Sequence, residues 1–238
     1  MAQKRVERLR QATITEIKEV ARKQMAEQGE AALSLGAIAR EMGMTAPALY
    51  RYFENRDALV TALIVDAFGA LAHALEAANA ATAHQDYATR FRALATAYRA
   101  WAVQHPHDYT LVYGTPLPGY HAPQEVTVPV ASRVLLALGL LFKEAWEAGY
   151  LTLPAAYAAI PAALKETAAA LIRDIWKDEQ AAAVLLLTLS VRSQLHGLVW
   201  AELYHHLPPG IGEAGELYHL EVAAIGQRLG LAPTRRRR

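Results

Sequence analysis

The stretch MGMTAPALYRYFENRDAL, residues 42–59, places small, hydroxyl-bearing and basic side chains directly behind a glycine. These side chains are Thr45, Ala46, Tyr50, Arg51, Tyr52 and Arg56. Small residues allow a close approach, hydroxyls and cations bind phosphates, and long side chains reach base edges, which is what duplex DNA demands of a protein surface. The stretch therefore has the chemistry of a DNA-reading element. The alternative is an ordinary bend between two packed helices.

Two short helices joined by a tight turn would position these groups. Ser34 is placed to cap the first short helix, and Gly43 lies in the turn that ends it. Thr45 is placed to cap the second, and Pro47 falls in its first turn, where a missing N–H costs nothing. This pattern is typical of a helix-turn-helix, whose second helix can enter the major groove of DNA, and equally of a helical hairpin that merely packs.

The spacing within the second short helix separates an inward from an outward face. Leu49 and Phe53 are four residues apart, so both can pack inward. The outward face then carries Ala46, Pro47, Tyr50 and Arg51.

Longer helices are expected on both sides. Apolar spacing predicts one over residues 7–28, and Asn55 or Asp57 is placed to cap another that runs to about His84. Lys4 and Arg5, ahead of the first helix, would add phosphate or minor-groove contacts or form a solvated tail.

Composition favours an all-α protein. Alanine and leucine, both strong helix formers, supply much of the 53% hydrophobic content, and there is no cysteine. Disulfides and zinc–thiolate sites are thereby excluded, as are cysteine nucleophiles. The charged N-terminal segment lacks the apolar region of a signal peptide, so we expect a cytoplasmic protein. A net charge of +1 gives no global attraction to nucleic acid, so DNA binding must come from local geometry.

Further helices are expected beyond residue 84. Their predicted ranges are 87–104, 126–148, 161–176, 178–206 and 211–229. The segment 105–123 is rich in proline, glycine and tyrosine, and we expect it to be irregular. The apolar runs at 134–142 and 181–191 are too short to span a bilayer, so no membrane contact is expected.

The sequence LSLGAIAREMGMTAPALYRYFENRDAL resembles the DNA-binding domain of TetR/AcrR-type transcriptional regulators. The matching features are Ser34, the pair Ile38-Ala39, the turn Gly43-Met44-Thr45, the pairs Leu49-Tyr50 and Tyr52-Phe53, and Arg56. Two residues depart from the usual pattern. Gly36 stands where a better helix former is usual, and Arg56 replaces the more frequent lysine.

The resemblance implies roles for individual residues. Thr45, Ala46 and Pro47 would lie at the entrance to the groove. Tyr50 and Arg51 would face bases or phosphates, while Tyr52 and Arg56 would hold the DNA backbone. Ser34, Lys4 and Arg5 complete the set of predicted DNA contacts.

The resemblance also implies a C-terminal domain that binds a small molecule and forms a homodimer through its last two helices. The segment RSQLHGLVWAEL at 192–203 is similar to the signature of a subgroup with a Trp-His-Gly (WHG) motif. His196 and Gly197 match this motif, whereas Leu195 takes the place of the tryptophan. Glycine inside a helix costs about 1 kcal/mol and is tolerated where another backbone comes close. His196 is more often structural than a ligand contact at such a position.

The aromatic residues around 105–123 are the candidate ligand pocket. Tyrosine faces are apolar with a polar tip, and neighbouring helices would add further apolar walls. Ordinary core packing is the alternative for each of these residues. The candidate set is Trp101, Tyr109, Tyr113, Tyr120, Phe142, Trp146 and His196.

No enzyme is expected. His105, His107 and Asp108 surround a proline at a helix end, and the pair His205-His206 is another weak metal candidate, but neither has convincing ligand spacing. No Gly-x-Ser-x-Gly elbow is present, and no cofactor or metal is implied.

The predicted organisation has three parts. Residues 1–57 form the helix-turn-helix domain, residues 58–230 form a helical ligand-binding and dimerisation domain, and residues 231–238 form a basic tail. The predicted function is a dimeric regulator, a repressor released from a palindromic operator by a small-molecule ligand. A constitutive or activating regulator without a ligand is the first alternative, and a helical enzyme or interaction module is the second.

Overall fold

A computed structural model describes residues 2–29, 32–176, 181–208 and 213–231, and no strand occurs in these ranges. All-α architecture, predicted from composition, is therefore confirmed. The helices are α1 Ala2–Gln28, α2 Leu35–Glu41, α3 Ala46–Tyr50, α4 Arg56–Ala81, α5 Tyr87–Gln104, α6 Pro106–Tyr113, α7 Gln124–Glu147, α8 Ala162–Trp176, α9 Ala182–Leu203 and α10 Ala214–Arg228. A 3₁₀ turn spans Ala155–Ala159.

Most helices lie where the spacing predicts them, with ends that differ by a few residues. Helix α4 begins at Arg56, and the Asn55 carboxamide accepts a hydrogen bond from the N–H of Ala58 at 2.8 Å, so Asn55 is the cap. The predicted helix starts at 178 and 211 lie outside the described residues, as does the predicted basic tail beyond Leu231.

Segment 105–123 differs from its prediction, because its first half is helix α6. Pro106 takes the first helical position, where its ring is compatible with the helix and its missing N–H is not needed. Gly114 ends the helix. Proline and glycine here mark the two ends of a helix and not a continuous loop.

The chain divides into two compact units. The first contains Met1–Ala70 and His105–Val130, and the second contains Leu71–Gln104 and Ala131–Arg238. The predicted boundary at residue 57 falls inside the first unit, because the N-terminal half of α4 supplies part of that unit's core. Residues 105–130 also belong to the first unit, although they come after α5 in the chain.

The first unit is built around one apolar core. Helix α1 contributes Ile17, Ala21 and Met25, and α4 contributes Leu59 and Leu63. Partly buried side chains from the returning segment pack against this core, namely Leu111, Val112, Leu117 and Tyr120. The apolar faces of the short helices α2 and α3 are thus buried against the long helices α1 and α4.

The second unit is a helical bundle in which α8 packs on α9, and α10 packs on both α5 and α9. The Tyr218 hydroxyl donates a hydrogen bond to the carbonyl of Ala95 at 2.8 Å inside this bundle. Arg99 and Glu202 form a bidentate ion pair, with 2.7 Å between Nε and Oε2. These contacts tie α5 to α9 and α10.

Within the described part of the chain, three helices are, by length and composition alone, apolar enough to cross a membrane: α4, α7 and α9. The two apolar runs that were expected to be too short lie within α7 and α9. That expectation was wrong because it counted only uninterrupted apolar residues, whereas these helices continue through small and polar ones. Part of each helix is buried against other helices of the chain.

Candidate functional site

The turn between α2 and α3 has the geometry that its residues predict. Gly43 has φ +64°, a left-handed conformation that side chains disfavour. Ser34 caps α2 by accepting a hydrogen bond from the N–H of Ala37 at 3.4 Å. Thr45 occupies the capping position of α3, but its hydroxyl makes no capping hydrogen bond. The Thr45 side chain is exposed at the nose of the helix.

Helix α3 has the two faces that the spacing predicts. Leu49 is 0% exposed and Phe53 is 7% exposed, so the inward pair is confirmed. Tyr50, between them in sequence, is 52% exposed. The exposed set also includes Ala46, Pro47 and Arg51. The outward face therefore presents a small nose followed by a phenol and a guanidinium.

Two other predicted DNA contacts also have structural partners. Arg56 donates a hydrogen bond from Nε to the carbonyl of Leu33 at 3.2 Å, which joins the start of α4 to the segment before α2. Tyr52 is half-buried, and the Arg10 guanidinium lies 5.5 Å from the centre of its ring. Cation–π contacts of this kind stabilise by roughly 0.5–1 kcal/mol at exposed sites.

Lys4 and Arg5 do not precede the first helix, since α1 already begins at Ala2. Lysine, arginine and glutamine are good helix formers, and no breaker separates these residues from the predicted helix. Both side chains are exposed. Further along α1, Val6 and Leu9 are 66% and 57% exposed and line a groove of about 250 Å³ with Arg51.

Sequence reasoning missed a charge network in the first unit. Arg22 on α1 donates hydrogen bonds to Asp108 on α6 at 3.1 Å and to Asp66 on α4 at 3.3 Å. Lys18 adds a second cation 2.9 Å from Asp66. Alternating cations on α1 were the available signal, but their partners lie 44 to 86 residues away in sequence.

The three tyrosines of the candidate ligand pocket belong to the first unit. Tyr109 is fully buried, and its ring centre lies 5.2 Å from that of Tyr113. Tyr113 in turn packs edge-on against Phe68 at 5.7 Å. The hydroxyls of Tyr120 and Thr61 are 2.9 Å apart. These residues fasten α6 and the following loop to α4.

The other candidate pocket residues belong to the second unit. Phe142 is fully buried against Phe91, with ring centres 5.6 Å apart, and Trp101 is also buried. Trp146 is half-buried. The seven candidates are thus divided between the two units and neither unit contains them all, because α6 packs its apolar side chains on the core of the first unit.

His196 has a defined partner in the second unit. Its Nδ1 lies 3.0 Å from the hydroxyl of Tyr98 on α5. Burial lowers the pKa of His196 below its ordinary value, and the nearby charge of Arg192 lowers that pKa further. His196 is therefore neutral at pH 7, and its contact with Tyr98 links α9 to α5.

The weak metal candidates have other contacts. Asp108 pairs with Arg22, and the ring of His206 stacks on Trp200 with 4.5 Å between centres. Across the described ranges, no group of three or more histidine, aspartate or glutamate side chains is arranged to hold a metal ion.

Both the N-terminal and the C-terminal part of the chain match known protein families. Residues 17–63 match the description "Bacterial regulatory proteins, tetR family", and residues 91–225 match "Tetracyclin repressor-like, C-terminal domain". The latter is a WHG-type domain, so the prediction made from His196 and Gly197 is confirmed.

An HTH-type transcriptional regulator of Mycobacterium tuberculosis, Rv1816, is 45% identical over 119 residues, which are 50% of this chain and 51% of the relative. In that match the chain spans about half the length of its curated relative. A crystal structure of SCO4313, described as a regulatory protein, is 34% identical, covers 92% of this chain and 97% of that one, and has a TM-score of 0.72.

The TetR-family regulator PfmR of Thermus thermophilus shares the fold, with a TM-score of 0.58 and 19% identity over 88% of this chain and 96% of its own. The family and these relatives are transcriptional regulators and not enzymes. The two domain matches and the full-length likeness to SCO4313 lead to one conclusion: the chain belongs to the TetR family of transcriptional regulators, with the family's helix-turn-helix in its N-terminal part.

Proposed function

We propose that this protein is a cytoplasmic homodimeric repressor that binds a palindromic operator and is released when a small molecule binds its C-terminal unit. The proposal rests on the contrast between the buried and the exposed side chains of α3 and the residues just after it. Leu49 in α3 and Phe53 just after it are buried in the core, so that Tyr50 at the end of α3 and Arg51, its C-cap, are held outward. Donors on rigid elements can be aligned with base edges and phosphates.

Electrostatics supports the same interface. Exposed cations of the first unit include Lys4, Arg5, Arg10 and Arg51, and Arg56 is half-buried. Each neutralised phosphate releases counterions, so the affinity for operator DNA should fall steeply as salt rises. With a net charge of only +1 on the whole chain, this attraction must come from the local arrangement of these cations and not from overall charge.

The outer face of α9 and α10 supports the dimer. Gly197 is exposed, and a Cβ added there would meet no atom of the same chain within 4 Å. The glycine is therefore not required by packing within the protomer, but it suits the close approach of a second backbone. Leu220 and Trp200 are 64% and 38% exposed on the same two helices, as expected of apolar residues that a partner covers.

Two copies of α3 would then read neighbouring half-sites. Adjacent major grooves on one face of B-DNA are about 34 Å apart, so the dimer fixes the spacing of the operator halves. A ligand that binds better to a conformation with a different spacing would release the DNA. Repression is the usual mode of the family, and an activator or a constitutive regulator would bind DNA in the same way but affect transcription differently.

The test is binding to a fluorescent duplex that contains the DNA flanking the coding region of this protein, measured by fluorescence anisotropy between about 50 and 300 mM salt, a range over which phosphate contacts weaken strongly. Tyr50→Ala and Arg51→Ala should each weaken binding at least tenfold. Arg92→Ala, an exposed change on α5, is the matched control and should bind like the wild type. If no palindromic element in that DNA is bound at low salt, the regulator hypothesis fails.

A further inference from the structure

A small cavity in the second unit has an unusual lining. Its walls are apolar apart from two residues, Tyr98 and Arg192. The cavity is partly open and has a volume of about 30 Å³, which holds one or two water molecules. The remaining lining residues are Leu75, Leu94, Ala95, Val134, Leu138 and Leu195. All of the lining residues belong to the second unit. His196 is not part of the lining, but it contacts the hydroxyl of Tyr98, which is.

The charge of Arg192 is not balanced by a carboxylate. Among the described side chains, no aspartate or glutamate oxygen lies within 4.0 Å of its nitrogens, and Arg192 is only half-exposed. Three other arginines of the same unit are paired with carboxylates: Arg90 with Glu144, Arg99 with Glu202 and Arg133 with Glu76. Arg92 and Arg228, which donate to Thr89 and Gln194 instead, are exposed, unlike the half-buried Arg192. Arg192 is thus a cation beside an apolar cavity with its anion-binding capacity unused.

The other polar group of the lining is already engaged. The hydroxyl of Tyr98 lies 3.0 Å from Nδ1 of His196, and Tyr98 is only 6% exposed. The cavity therefore offers apolar contact to most of a ligand, and Arg192, which is part of its lining, brings one guanidinium to the edge of the same site. A guanidinium binds a carboxylate through two parallel hydrogen bonds, whereas a cation there would face an uncompensated like charge.

We propose that the effector is a slender amphipathic carboxylate, with its aliphatic tail in the cavity and its carboxylate on Arg192. This inference rests on the proposed function, in which the C-terminal unit binds a small molecule. Slenderness follows from the small volume of the cavity, because an unbranched tail has a smaller cross-section than a cage-like group and needs less displacement of the lining leucines. The apolar walls account for the tail and the unpaired cation accounts for the head group.

Octanoate, 1-octanol and octylamine are the probes, because they share one tail and differ in charge. Isothermal titration of the full chain at about pH 7.5, where the carboxylate and the amine are both ionised, should give binding of octanoate at least tenfold tighter than that of octanol. Octylamine should bind weakest, and thermal unfolding should show the same order. Equal affinity for all three would overturn the proposal, because Arg192 would then not read the head group.

Variants locate the site. Arg192→Gln should reduce the affinity for octanoate to that for octanol, while Arg92→Gln on the exposed face of α5 should leave both unchanged. Val134→Leu adds one methylene to the lining and should weaken both ligands, with the fold checked by circular dichroism. Retained preference for octanoate in Arg192→Gln would overturn the assignment of the head-group site.

Shape is tested with adamantane-1-carboxylate, which carries the same charge on a bulky cage. It should bind at least tenfold more weakly than octanoate, and equal binding would overturn the slender tail. Operator binding is measured separately without any of these compounds. If operator DNA is bound but octanoate is not, only this inference fails. If no operator is bound, the proposed function fails whatever the outcome of the titrations.

Discussion

Arg22 on α1 donates a hydrogen bond from Nε to Oδ1 of Asp108 on α6, over 3.1 Å. The same guanidinium reaches Asp66 on α4 at 3.3 Å, so one side chain joins three helices of the first unit. The Arg22 and Asp108 side chains are 31% and 14% exposed, which leaves this pair less screened than one on an open surface. The helix that comes after α5 in the chain is thereby fastened to α1, the helix that supports the DNA reader.

Replacing Asp108 tests this attachment. Asp108→Asn removes the charge but keeps the shape, and it should lower the free energy of unfolding by about 1 kcal/mol. The measurement is urea unfolding, together with hydrogen exchange of the peptide that covers residues 105–123, which should exchange faster. Glu41→Gln is the matched control, because it breaks the more exposed ion pair with Lys23 and should have a smaller effect. Unchanged exchange at 105–123 in Asp108→Asn would mean that apolar packing alone holds α6.

This attachment is also where sequence reasoning reaches its limit. Pro106 and Gly114 predict irregular structure when they are considered by composition, whereas the proline begins α6 and the glycine ends it. The pair Arg22–Asp108 spans 86 residues, and no local pattern reports a contact over that distance. By composition, the tyrosines of this segment suggest a ligand pocket shared with Trp101, Phe142 and Trp146. The structure places the tyrosines in the first unit, with α1 and the start of α4.

The helix-turn-helix was predictable because its information is local. Caps, a left-handed glycine and two apolar residues four apart all act within one or two helical turns, and the Ser34 cap, Gly43 and the buried pair are reproduced. The cation–π contact of Arg10 with Tyr52 was missed, because it depends on how α1 crosses the end of α3. In the sequence, Arg192 is only the residue that ends an apolar run. Only the three-dimensional structure shows that none of the described carboxylates pairs with it.

Substitutions of the neighbouring residues Leu49 and Tyr50 should have different effects, the first on stability and the second on DNA binding. Leu49 is fully buried in the core of the first unit, so Leu49→Ala should cost about 2–5 kcal/mol of stability. Tyr50 is 52% exposed, so Tyr50→Ala should change stability by no more than about 0.5 kcal/mol while it weakens operator binding at least tenfold. Urea unfolding and fluorescence anisotropy measure the two effects. A loss of stability in Tyr50→Ala as large as that in Leu49→Ala would show that Tyr50 contributes to the core and not to a DNA-binding surface.

Gly197 should control dimer formation. Gly197→Gln replaces glycine with a better helix former, and a Cβ at this position meets nothing within 4 Å of the same chain, so the protomer should fold at least as well. A second backbone that packs against this position would be displaced by the new side chain. Sedimentation equilibrium should show a dissociation constant raised at least tenfold. Ala170→Gln, at an exposed position on α8, is the control, and equal dissociation in both variants would place the interface elsewhere.

His196 should make the second unit less stable in acid. Burial lowers the pKa of this histidine in the folded protein, and the charge of Arg192 lowers it further, whereas the unfolded chain keeps the ordinary value of about 6.5. Below that pH the unfolded state binds a proton that the folded state resists. Stability is therefore full above about pH 6.5 and is lost as the pH falls through the unfolded value towards the lowered folded one.

His196→Gln removes this titration while it keeps a polar group within reach of the Tyr98 hydroxyl. Urea unfolding at intervals from about pH 7.5 to 5.0, a range that brackets the ordinary histidine pKa, should give a steeper loss of stability for the wild type than for His196→Gln. The two curves should converge towards lower pH. His84→Gln, at an exposed position in the same unit, is the matched control, because it leaves His196 and its contact with Tyr98 in place and should lose stability with falling pH as the wild type does. Parallel curves for wild type and His196→Gln would show that His196 is as free to take up a proton in the folded bundle as in the unfolded chain, and the contact with Tyr98 would then not require the neutral imidazole.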